Sequence, residues 1–446
     1  MPVSPSRVAA FDILLQVERE DAYAADLLHS PKYSNLSPAD HGLATQIVMG
    51  VLRWRSVLDE LITRHSNQRL EKLDREVLTA LRMGAYQLAY LDRIPDRAAI
   101  NESVELVKRA RKRSAVPFAN AVLRKIASAD LRSIRLRAES TPSQISDISN
   151  ELAHPLWLVE RWVKLYGADI AAQICTYDQR VPATSIRLHD PDVEQQLANQ
   201  GIPVSPGELL TSARRVSCDV TATRQFREGA AVSIQDEASQ LVALLVGKGT
   251  NILDCCAAPG GKTRMIAEQN PNAAVIAAEL HPHRARLLRK LVPATNVQVI
   301  TGDIRDIQMA SQFDRVLADV PCSGTGTLAR NPEIKWKLKP QDLSDLQARQ
   351  LAILKSAMAR VSPGGRLVYS TCSLEPEENE QVVEQALAQD HSFTLVDCRS
   401  ELQRLRDENE LAWKDLDSLI SGPYLRTIPG VHPSDGFFSA ILEQIN

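Results

Sequence analysis

The sequence predicts an α/β fold, with a parallel, doubly wound sheet in the second half of the chain and an all-helical region before it. Between residues 231 and 446, short apolar runs alternate with segments whose apolar residues recur at helical spacing. Strands that alternate with helices are typical of parallel sheets, because each parallel connection needs a crossover. Before residue 140 only the helical spacing recurs, as in Val8, Phe11 and Leu14, so that region is predicted to be helical.

Three domains follow from this pattern, each large enough for a core of its own. Residues 1–140 form the helical domain, in which Ser37-Pro-Ala-Asp40 begins a helix with Ser as cap and Pro at the first position. The polar stretch 141–146 predicts a linker. Residues 145–230 predict a small α+β domain, closed by Glu228-Gly229, and residues 231–446 carry the sheet. The strand candidates of that sheet are Asn251–Asp254, Ala274–Ala278, Val297–Ile300, Arg315–Ala318 and Arg366–Tyr369.

Composition points to a soluble cytoplasmic protein. The hydrophobic share of 44% and charged share of 24% are ordinary for a globular chain of 446 residues. We expect no signal peptide and no membrane span, since no run reaches about 20 apolar residues. The seven cysteines include no C-x-x-C pair, which predicts reduced thiols and no structural zinc or other metal.

Positive charge is concentrated in the helical domain. Residues 1–140 hold 22 Lys and Arg against 17 Asp and Glu, a balance of +5 that leaves −8 for the remainder of a chain with net charge −3. Residues 108–137 contain ten basic residues and one acidic residue, Asp130. Such a run is either a solvated helix face or a surface that follows nucleic-acid phosphates. The candidates for phosphate contacts are Lys108, Arg109, Arg111, Lys112 and Arg113.

A glycine-bearing loop follows the first predicted strand of the sheet. In Leu253-Asp-Cys-Cys-Ala-Ala-Pro-Gly-Gly-Lys-Thr263, two glycines let a ligand approach the backbone, and the N–H groups of a helix start favour an anionic group. Gly261-Lys-Thr263 resembles the end of a phosphate-binding P-loop, but that motif would need Gly where Cys256 stands. The loop is therefore not predicted to be the ATP site of an ATPase. Glu279 ends the second strand, where a carboxylate can bind ribose hydroxyls, and Asp303 follows the third, placed for an adenine edge. Their order after successive strands predicts a nucleotide-type pocket.

Two cysteines stand in two further loops. Cys322 lies in Asp319-Val-Pro-Cys-Ser-Gly-Thr-Gly-Thr327 and Cys372 lies in Tyr369-Ser-Thr-Cys-Ser373. Each loop follows an apolar run and precedes a helix-like segment, so both thiols are predicted at the carboxyl ends of parallel strands. A pair of thiols beside a nucleotide-type loop indicates covalent chemistry on an electrophilic ring. We expect four other cysteines to be buried and unreactive, as most free cysteines are: Cys175, Cys218, Cys255 and Cys398.

With these motifs the whole chain resembles the Fmu/Sun (RsmB-type) RNA cytosine-5 methyltransferases, which methylate small-subunit ribosomal RNA. Further matches are Arg330-Asn-Pro-Glu-Ile-Lys-Trp336, Ser370-Thr-Cys-Ser-Leu-Glu-Pro-Glu-Glu-Asn379 and Asp435-Gly-Phe-Phe438. Residues 1–140 resemble a NusB-type RNA-binding domain. The resemblance implies a class I (Rossmann-like) S-adenosylmethionine-dependent methyltransferase sheet, preceded by an all-α NusB-like domain and a small α+β domain.

The resemblance also implies the roles of single residues. Cys372 is the nucleophile, Cys322 assists product release, and Asp319 contacts the cytosine ring, either as an acid or as an acceptor from the exocyclic amine. A partly ionised Cys372 requires a nearby cation, for which Lys262 is a candidate. Glu279 stands where Asp is commoner in the family, and it keeps both carboxylate oxygens. The implied S-adenosylmethionine site comprises Cys256, Ala257, Ala258, Pro259, Gly260, Gly261, Lys262, Glu279, Asp303 and Asp319.

The expected partner is 16S ribosomal RNA, with no DNA and no membrane, and we expect a monomer. Trp336 would stack on a base beside Arg330 and Lys335, unless it is an ordinary packed tryptophan; Phe437 and Phe438 are expected in the core. Two other functions stay open, a tRNA cytosine-5 methyltransferase and a non-catalytic RNA-binding assembly factor. The NusB-like part counts against the first, and the two intact cysteine loops count against the second.

Overall fold

The computed structural model describes residues 3–20, 22–131, 134, 142–190, 192–217, 231–309 and 312–445. The chain divides into two compact units. The helical unit comprises Met1–Val181 together with Leu328–Lys337, and the sheet unit comprises Pro182–Thr327 and Leu338–Asn446.

The helical unit is built around a core of aliphatic side chains from amphipathic helices. The predicted cap is confirmed: Ser37 Oγ accepts a hydrogen bond from the Asp40 N–H at 3.1 Å, and Pro38 occupies the first helical turn. Close helix packing requires Gly50, because a Cβ there would lie 1.9 Å from the Tyr86 ring. The helices are α1 (Pro5–Arg19), α2 (Ala24–Leu28), α3 (Pro38–Arg53), α4 (Arg55–Ser66), α5 (Arg75–Tyr90), α6 (Asp96–Arg109), α7 (Val116–Ala127), α8 (Ile145–Glu151), α9 (Leu156–Tyr166) and α10 (Ala168–Asp178), with 3₁₀ turns at Pro31–Tyr33, Leu70–Lys72 and Arg113–Ala115.

The segment Leu328–Lys337 belongs to the helical unit although it follows the Cys322 loop in sequence. Its last residues, Ile334–Lys337, form one helical turn. The Trp336 indole N–H donates to the Leu52 carbonyl, and Arg53 Nη2 donates to the Ala329 carbonyl at 2.7 Å. These two bonds fix the segment to α3.

The sheet unit begins with a small antiparallel sheet. Its strand order is β2-β3-β1-β4, and it is covered by a short helix. These elements are β1 (Thr184–Leu188), α11 (Val193–Asn199), β2 (Val204–Pro206), β3 (Ala213–Val216) and β4 (Val232–Ile234).

A nine-stranded sheet forms the rest of this unit, in the order β11-β12-β13-β9-β8-β5-β6-β7, with β10 paired to β13. The five predicted strands are confirmed, and the pairs β9-β8, β8-β5, β5-β6 and β6-β7 are parallel. The sheet is mixed, because β13 runs antiparallel to β9 and the strands beyond it are also antiparallel. The elements are α12 (Glu237–Val246), β5 (Asn251–Asp254), α13 (Gly261–Gln269), β6 (Ala274–Glu279), α14 (Pro282–Leu291), β7 (Val297–Thr301), β8 (Phe313–Asp319), a 3₁₀ turn (Thr325–Thr327), α15 (Asp342–Met358), β9 (Val361–Thr371), α16 (Glu380–Gln389), β10 (Phe393–Val396), α17 (Cys398–Asp407), a second 3₁₀ turn (Asp417–Leu419), β11 (Ile420–Ser421), β12 (Tyr424–Thr427) and β13 (Phe437–Gln444).

The domain prediction differs from this division in its middle part. The predicted small domain, residues 145–230, is not one compact unit: α8, α9 and α10 belong to the helical unit, and the small sheet belongs with the large one. Glu237 on α12 explains the second grouping, since its buried carboxylate accepts from Arg215 Nε at 2.6 Å and from the Leu209 N–H at 2.7 Å. Thr141 of the predicted linker, Glu228-Gly229, Cys218, and Arg132, Arg135 and Arg137 of the basic run lie outside the described residues.

Within the described part of the chain, no helix has both the length and the apolar character needed to cross a membrane.

Candidate active site

The glycine-bearing loop joins β5 to α13 at the carboxyl edge of the sheet. Asp254 closes the loop at its base, where its buried carboxylate accepts a hydrogen bond from Thr263 Oγ1 at 2.7 Å. Burial raises the pKa of Asp254 to about 6. Gly260 has φ +121°, and a Cβ there would lie 2.7 Å from both Leu288 and Val292. Only glycine suits this position, because a side chain would need both the positive φ and the space that Leu288 and Val292 fill.

The two predicted acids stand on the neighbouring strands. Glu279 is the last residue of β6 and is buried, and its Oε1 accepts from the His281 N–H at 2.9 Å. Asp303 follows β7, and the side-chain hydrogen bonds of Arg305 lower the pKa of Asp303. Because β6 and β7 are paired and parallel, both acids lie at the same sheet edge as the loop.

Gln235 is a neighbour of this loop that sequence reasoning missed. Its buried Oε1 has no hydrogen-bond partner, and its amide lies 3.1 Å from the position that a Cβ of Gly261 would occupy. A buried amide oxygen without a partner is costly unless a ligand supplies the donor. The loop and Glu279 fit a polar nucleoside-type cofactor, and Gln235 packs against the loop at Gly261. No local motif marks Gln235 in the sequence.

The two predicted thiols are brought together at the ends of β8 and β9. Cys322 Sγ lies 3.2 Å from Cys372 Sγ, and both side chains are partly exposed. The pKa of the Cys322 thiol is raised well above its ordinary value, first by the hydrogen bond with Cys372, then by burial and by the charges of Cys372 and Glu378. Two thiols this close titrate as a coupled pair, in which charge on one sulfur opposes ionisation of the other.

A cation stands beside the pair. Lys262 Nζ lies 2.8 Å from Asp319 Oδ2 and 5.1 Å from the centre of the Phe437 ring. Burial opposes the charge on Lys262, but attraction to Asp319, their hydrogen bond and the charge of Cys372 outweigh it and raise its pKa. The Lys262 ammonium therefore supplies positive charge close to Asp319. Phe437 and Phe438 are buried, as expected for core residues.

The basic run in the helical unit is exposed at α6, the turn after it and the start of the next 3₁₀ turn. Two of the five candidates are already paired, Lys108 with Glu105 and Lys112 with Asp74. Arg109, Arg111 and Arg113 are exposed, and no acidic side chain is seen to pair with them within the described residues.

The candidates at Arg330, Lys335 and Trp336 fall in the segment that packs within the helical unit. Arg330 and Trp336 are half-buried. The predicted phosphate contact of Lys335 is wrong, because its side chain is 1% exposed and its Nζ has no hydrogen-bond partner. Burial is the main cause that lowers the pKa of Lys335 to about 7. The alternation of charge and Trp in the motif gave no indication that Lys335 is buried.

Replacing Lys335 by Met is expected to stabilise the protein, and more so at lower pH. Folding lowers the pKa of Lys335 from 10.5 to about 7, so its destabilising effect is absent at high pH and complete below pH 7. We expect the variant's advantage in free energy of unfolding to grow by about 2–3 kcal/mol as the pH falls from ~9 to ~6. Denaturant unfolding at both pH values measures this, and an advantage that does not change with pH would contradict it.

The sheet order, the loop after the first parallel strand and the acid at the end of the second define a class I S-adenosylmethionine-dependent methyltransferase. A family model described as "16S rRNA methyltransferase RsmB/F" matches residues 241–443, and one described as "NusB family" matches residues 4–128. The chain belongs to the RsmB/F methyltransferase family and carries its NusB domain.

Curated relatives match the chain along nearly its full length. The chain is 34% identical to the "Probable ribosomal RNA small subunit methyltransferase B" of Bacillus subtilis (strain 168), over 97% of each chain. It is 30% identical to the "Ribosomal RNA small subunit methyltransferase B" of Vibrio vulnificus (strain YJ016), over 98% of each.

Solved structures agree on the fold. The crystal structure of PH0851 matches with a TM-score of 0.79 and 22% identity over the full length of both chains. A "Methyltransferase Homolog Protein from Pyrococcus Horikoshii" matches with a TM-score of 0.55 and 25% identity, over 68% of this chain and 99% of that one.

Proposed function

We propose that this protein transfers the methyl group of S-adenosylmethionine to carbon 5 of a specific cytosine in 16S ribosomal RNA through a covalent cysteine–cytosine intermediate. The observation that carries the proposal is the pair of thiols 3.2 Å apart, in two loops at the carboxyl edge of the sheet. Bound S-adenosylmethionine would supply the methyl group, held by Cys256–Lys262, Glu279, Asp303 and Asp319. The curated names of the relatives support the ribosomal substrate.

Cys372 is the nucleophile of this proposal. Its thiolate adds to carbon 6 of cytosine, and the electron pair of the carbon 5–carbon 6 double bond makes carbon 5 nucleophilic. Carbon 5 would then take the methyl group that bound S-adenosylmethionine supplies, as the sulfur–methyl bond breaks and S-adenosylhomocysteine is left. Lys262 is the candidate cation for this thiolate, since the charge of Cys372 contributes to the raised pKa of Lys262.

Asp319 orients the ring. Because its Oδ2 accepts from the Lys262 ammonium at 2.8 Å, the proposal assigns Asp319 as a carboxylate. Its Oδ1 would then accept a hydrogen bond from the exocyclic amine of cytosine rather than donate one to ring nitrogen 3.

Cys322 assists the last step. After methyl transfer the carbon 5 proton must leave, and its bonding pair reforms the double bond as the Cys372–carbon 6 bond breaks. Cys322 touches Cys372 and so stands beside that bond. A sulfur in this place is positioned to assist the loss of the carbon 5 proton and the release of Cys372.

One comparison tests the proposal. Bisulfite sequencing of small-subunit RNA from cells with and without this protein should find one cytosine that is methylated only when the protein is present. Methylation confined to transfer RNA would favour the tRNA enzyme instead. No incorporation of labelled methyl groups into either RNA would favour the non-catalytic assembly factor.

The exposed arginines of the basic run are proposed to contact RNA phosphates. We expect reversal of Arg109, Arg111 and Arg113 to Glu to weaken RNA binding and to flatten its dependence on salt. Each lost phosphate contact should lower the slope of log K against log salt by about 0.7–0.9. Binding titrations at several salt concentrations measure the slope.

The matched control reverses three exposed lysines outside the run, Lys164, Lys355 and Lys414, which changes the net charge by the same amount. If both triple variants lose the same slope, the effect belongs to net charge and the basic run is a solvated helix face.

Trp336 is proposed as a stacking platform for one base. It lines a cleft of about 460 Å³ in the helical unit together with Arg55 and Arg75. The Arg55 guanidinium carbon lies 5.9 Å from the centre of the Trp336 ring, and Glu18, Glu71 and Glu333 line the same cleft.

A further inference from the structure

We propose that Glu378 is a positioning residue that holds both cysteine loops in register and so sets the distance between the two thiols. This inference rests on the proposed function and deepens it, since it names the group that assembles the proposed catalytic pair. Glu378 itself touches neither thiol through a hydrogen bond; it acts through the residue that follows each cysteine.

The Glu378 carboxylate is fully buried and accepts four hydrogen bonds. Its Oε1 accepts from the Ser323 N–H at 2.8 Å and from Gln350 Nε2 at 2.8 Å. Its Oε2 accepts from the hydroxyl groups of Ser323 and Ser373. Four donors satisfy the acceptor capacity of a carboxylate, which is what a buried charge requires.

The two serines define the register. Ser323 follows Cys322 and Ser373 follows Cys372, so the same Cys-Ser dipeptide occurs in both loops. The serine hydroxyl oxygens lie 3.1 Å apart, and the two sulfur atoms lie 3.2 Å apart. The serine pair and the cysteine pair are therefore aligned side by side across the two loops. The carboxylate that bridges the serines fixes how close the sulfurs come.

The surrounding bonds hold Glu378 in its place. The Tyr369 hydroxyl donates to the Glu378 carbonyl at 2.6 Å, and Asn379 Nδ2 donates to the Ser373 carbonyl at 2.9 Å. The Gly326 N–H donates to the Cys372 carbonyl at 3.0 Å, a second link between the loops. Tyr369, Ser373 and Asn379 are buried, so the loops have a rigid base below the thiols.

The charge of Glu378 also affects the ionisation of Cys322. The pKa of Cys322 is raised first by the hydrogen bond with Cys372, then by burial, by the charge of Cys372 and by the charge of Glu378. Lys262 is the cation near the pair, and it interacts with Cys372. A neutral residue at 378 would leave Cys322 easier to ionise without altering the cofactor loop.

The test compares Glu378→Gln with Glu384→Gln, the same change at an exposed glutamate on α16. In Glu378→Gln an amide N–H₂ group replaces one carboxylate oxygen and faces the donors that this oxygen had accepted from. Because those hydrogen bonds are lost and the loops are no longer held in register, we expect kcat to fall at least about tenfold. The Kd for S-adenosylmethionine should stay within about twofold of wild type, because the cofactor loop makes no hydrogen bond to Glu378 among the described residues. Glu384→Gln should match wild type in both.

A second readout is independent of methylation. The rate at which iodoacetamide alkylates Cys322 is followed by peptide mass spectrometry as the pH is raised. In Glu378→Gln this rate should begin to increase at a lower pH than in wild type. An unchanged alkylation profile with unchanged kcat would overturn the inference while leaving the proposed function intact. A wild-type enzyme that methylates no RNA would overturn the proposed function, and the alkylation profile would still test Glu378.

Two serine variants cover the case in which Glu378→Gln fails to fold. Ser323→Ala and Ser373→Ala each remove one hydroxyl donor and keep the carboxylate. We expect each to lower kcat, and the double variant to depart from additivity because both serines act through one group. Strict additivity, or two variants with wild-type kcat, would contradict a shared clamp.

Discussion

Replacing Cys372 by Ala is expected to abolish methyl transfer and to leave cofactor binding unchanged. The proposed addition to carbon 6 requires a thiolate, and neither a hydroxyl group nor water in that place would be as nucleophilic. We expect a loss of at least about 10³-fold in turnover, equivalent to about 4 kcal/mol. Incorporation of labelled methyl groups into 16S ribosomal RNA measures it.

The affinity for S-adenosylmethionine is the control. It should not change, because Cys372 lies in a different loop from Cys256–Lys262. A melting temperature close to that of wild type would exclude misfolding, because the side chain of Cys372 is partly exposed and alanine removes only its sulfur. A turnover within tenfold of wild type, a loss below about 1.4 kcal/mol, would contradict the assignment of the nucleophile.

Replacing Cys322 by Ala is expected to trap the enzyme on its RNA. In the proposed mechanism this change leaves addition and methyl transfer intact and removes the group that assists release. The enzyme should accumulate as a covalent protein–RNA adduct, visible as a slowly migrating band on a denaturing gel. The adduct should require S-adenosylmethionine.

The double variant, Cys322→Ala with Cys372→Ala, is the decisive control and should form no adduct. In DNA cytosine-5 methyltransferases the nucleophile is the cysteine of a Pro-Cys loop, which here is Cys322. If Cys322 were the nucleophile, Cys322→Ala would give no adduct and Cys372→Ala would accumulate one. The two assignments therefore predict opposite gels from the same pair of variants.

The strands and the cofactor loop could be predicted because their signals are local. The strand Asn251–Asp254 was predicted with its observed bounds, and the Glu279 strand differs from its prediction by one residue. Periodicity and strand-end positions depend on a few consecutive residues, so a single sequence carries them. The antiparallel strands after β9 were not predicted, because their pairing partners are distant in sequence and their short runs resemble loops.

The sequence by itself determined the cofactor loop, the two cysteine loops and, through these motifs, the family. Each motif is a short run of consecutive residues, so it can be identified without knowing how the chain folds. Only the tertiary structure decided that residues 50 apart bring their sulfurs to 3.2 Å, and that Glu378 bridges the serines beside them. It also decided that Lys335, a charged residue beside Trp336, is buried. Burial and proximity depend on how distant elements pack, and that information is distributed over the whole chain rather than held in any one motif.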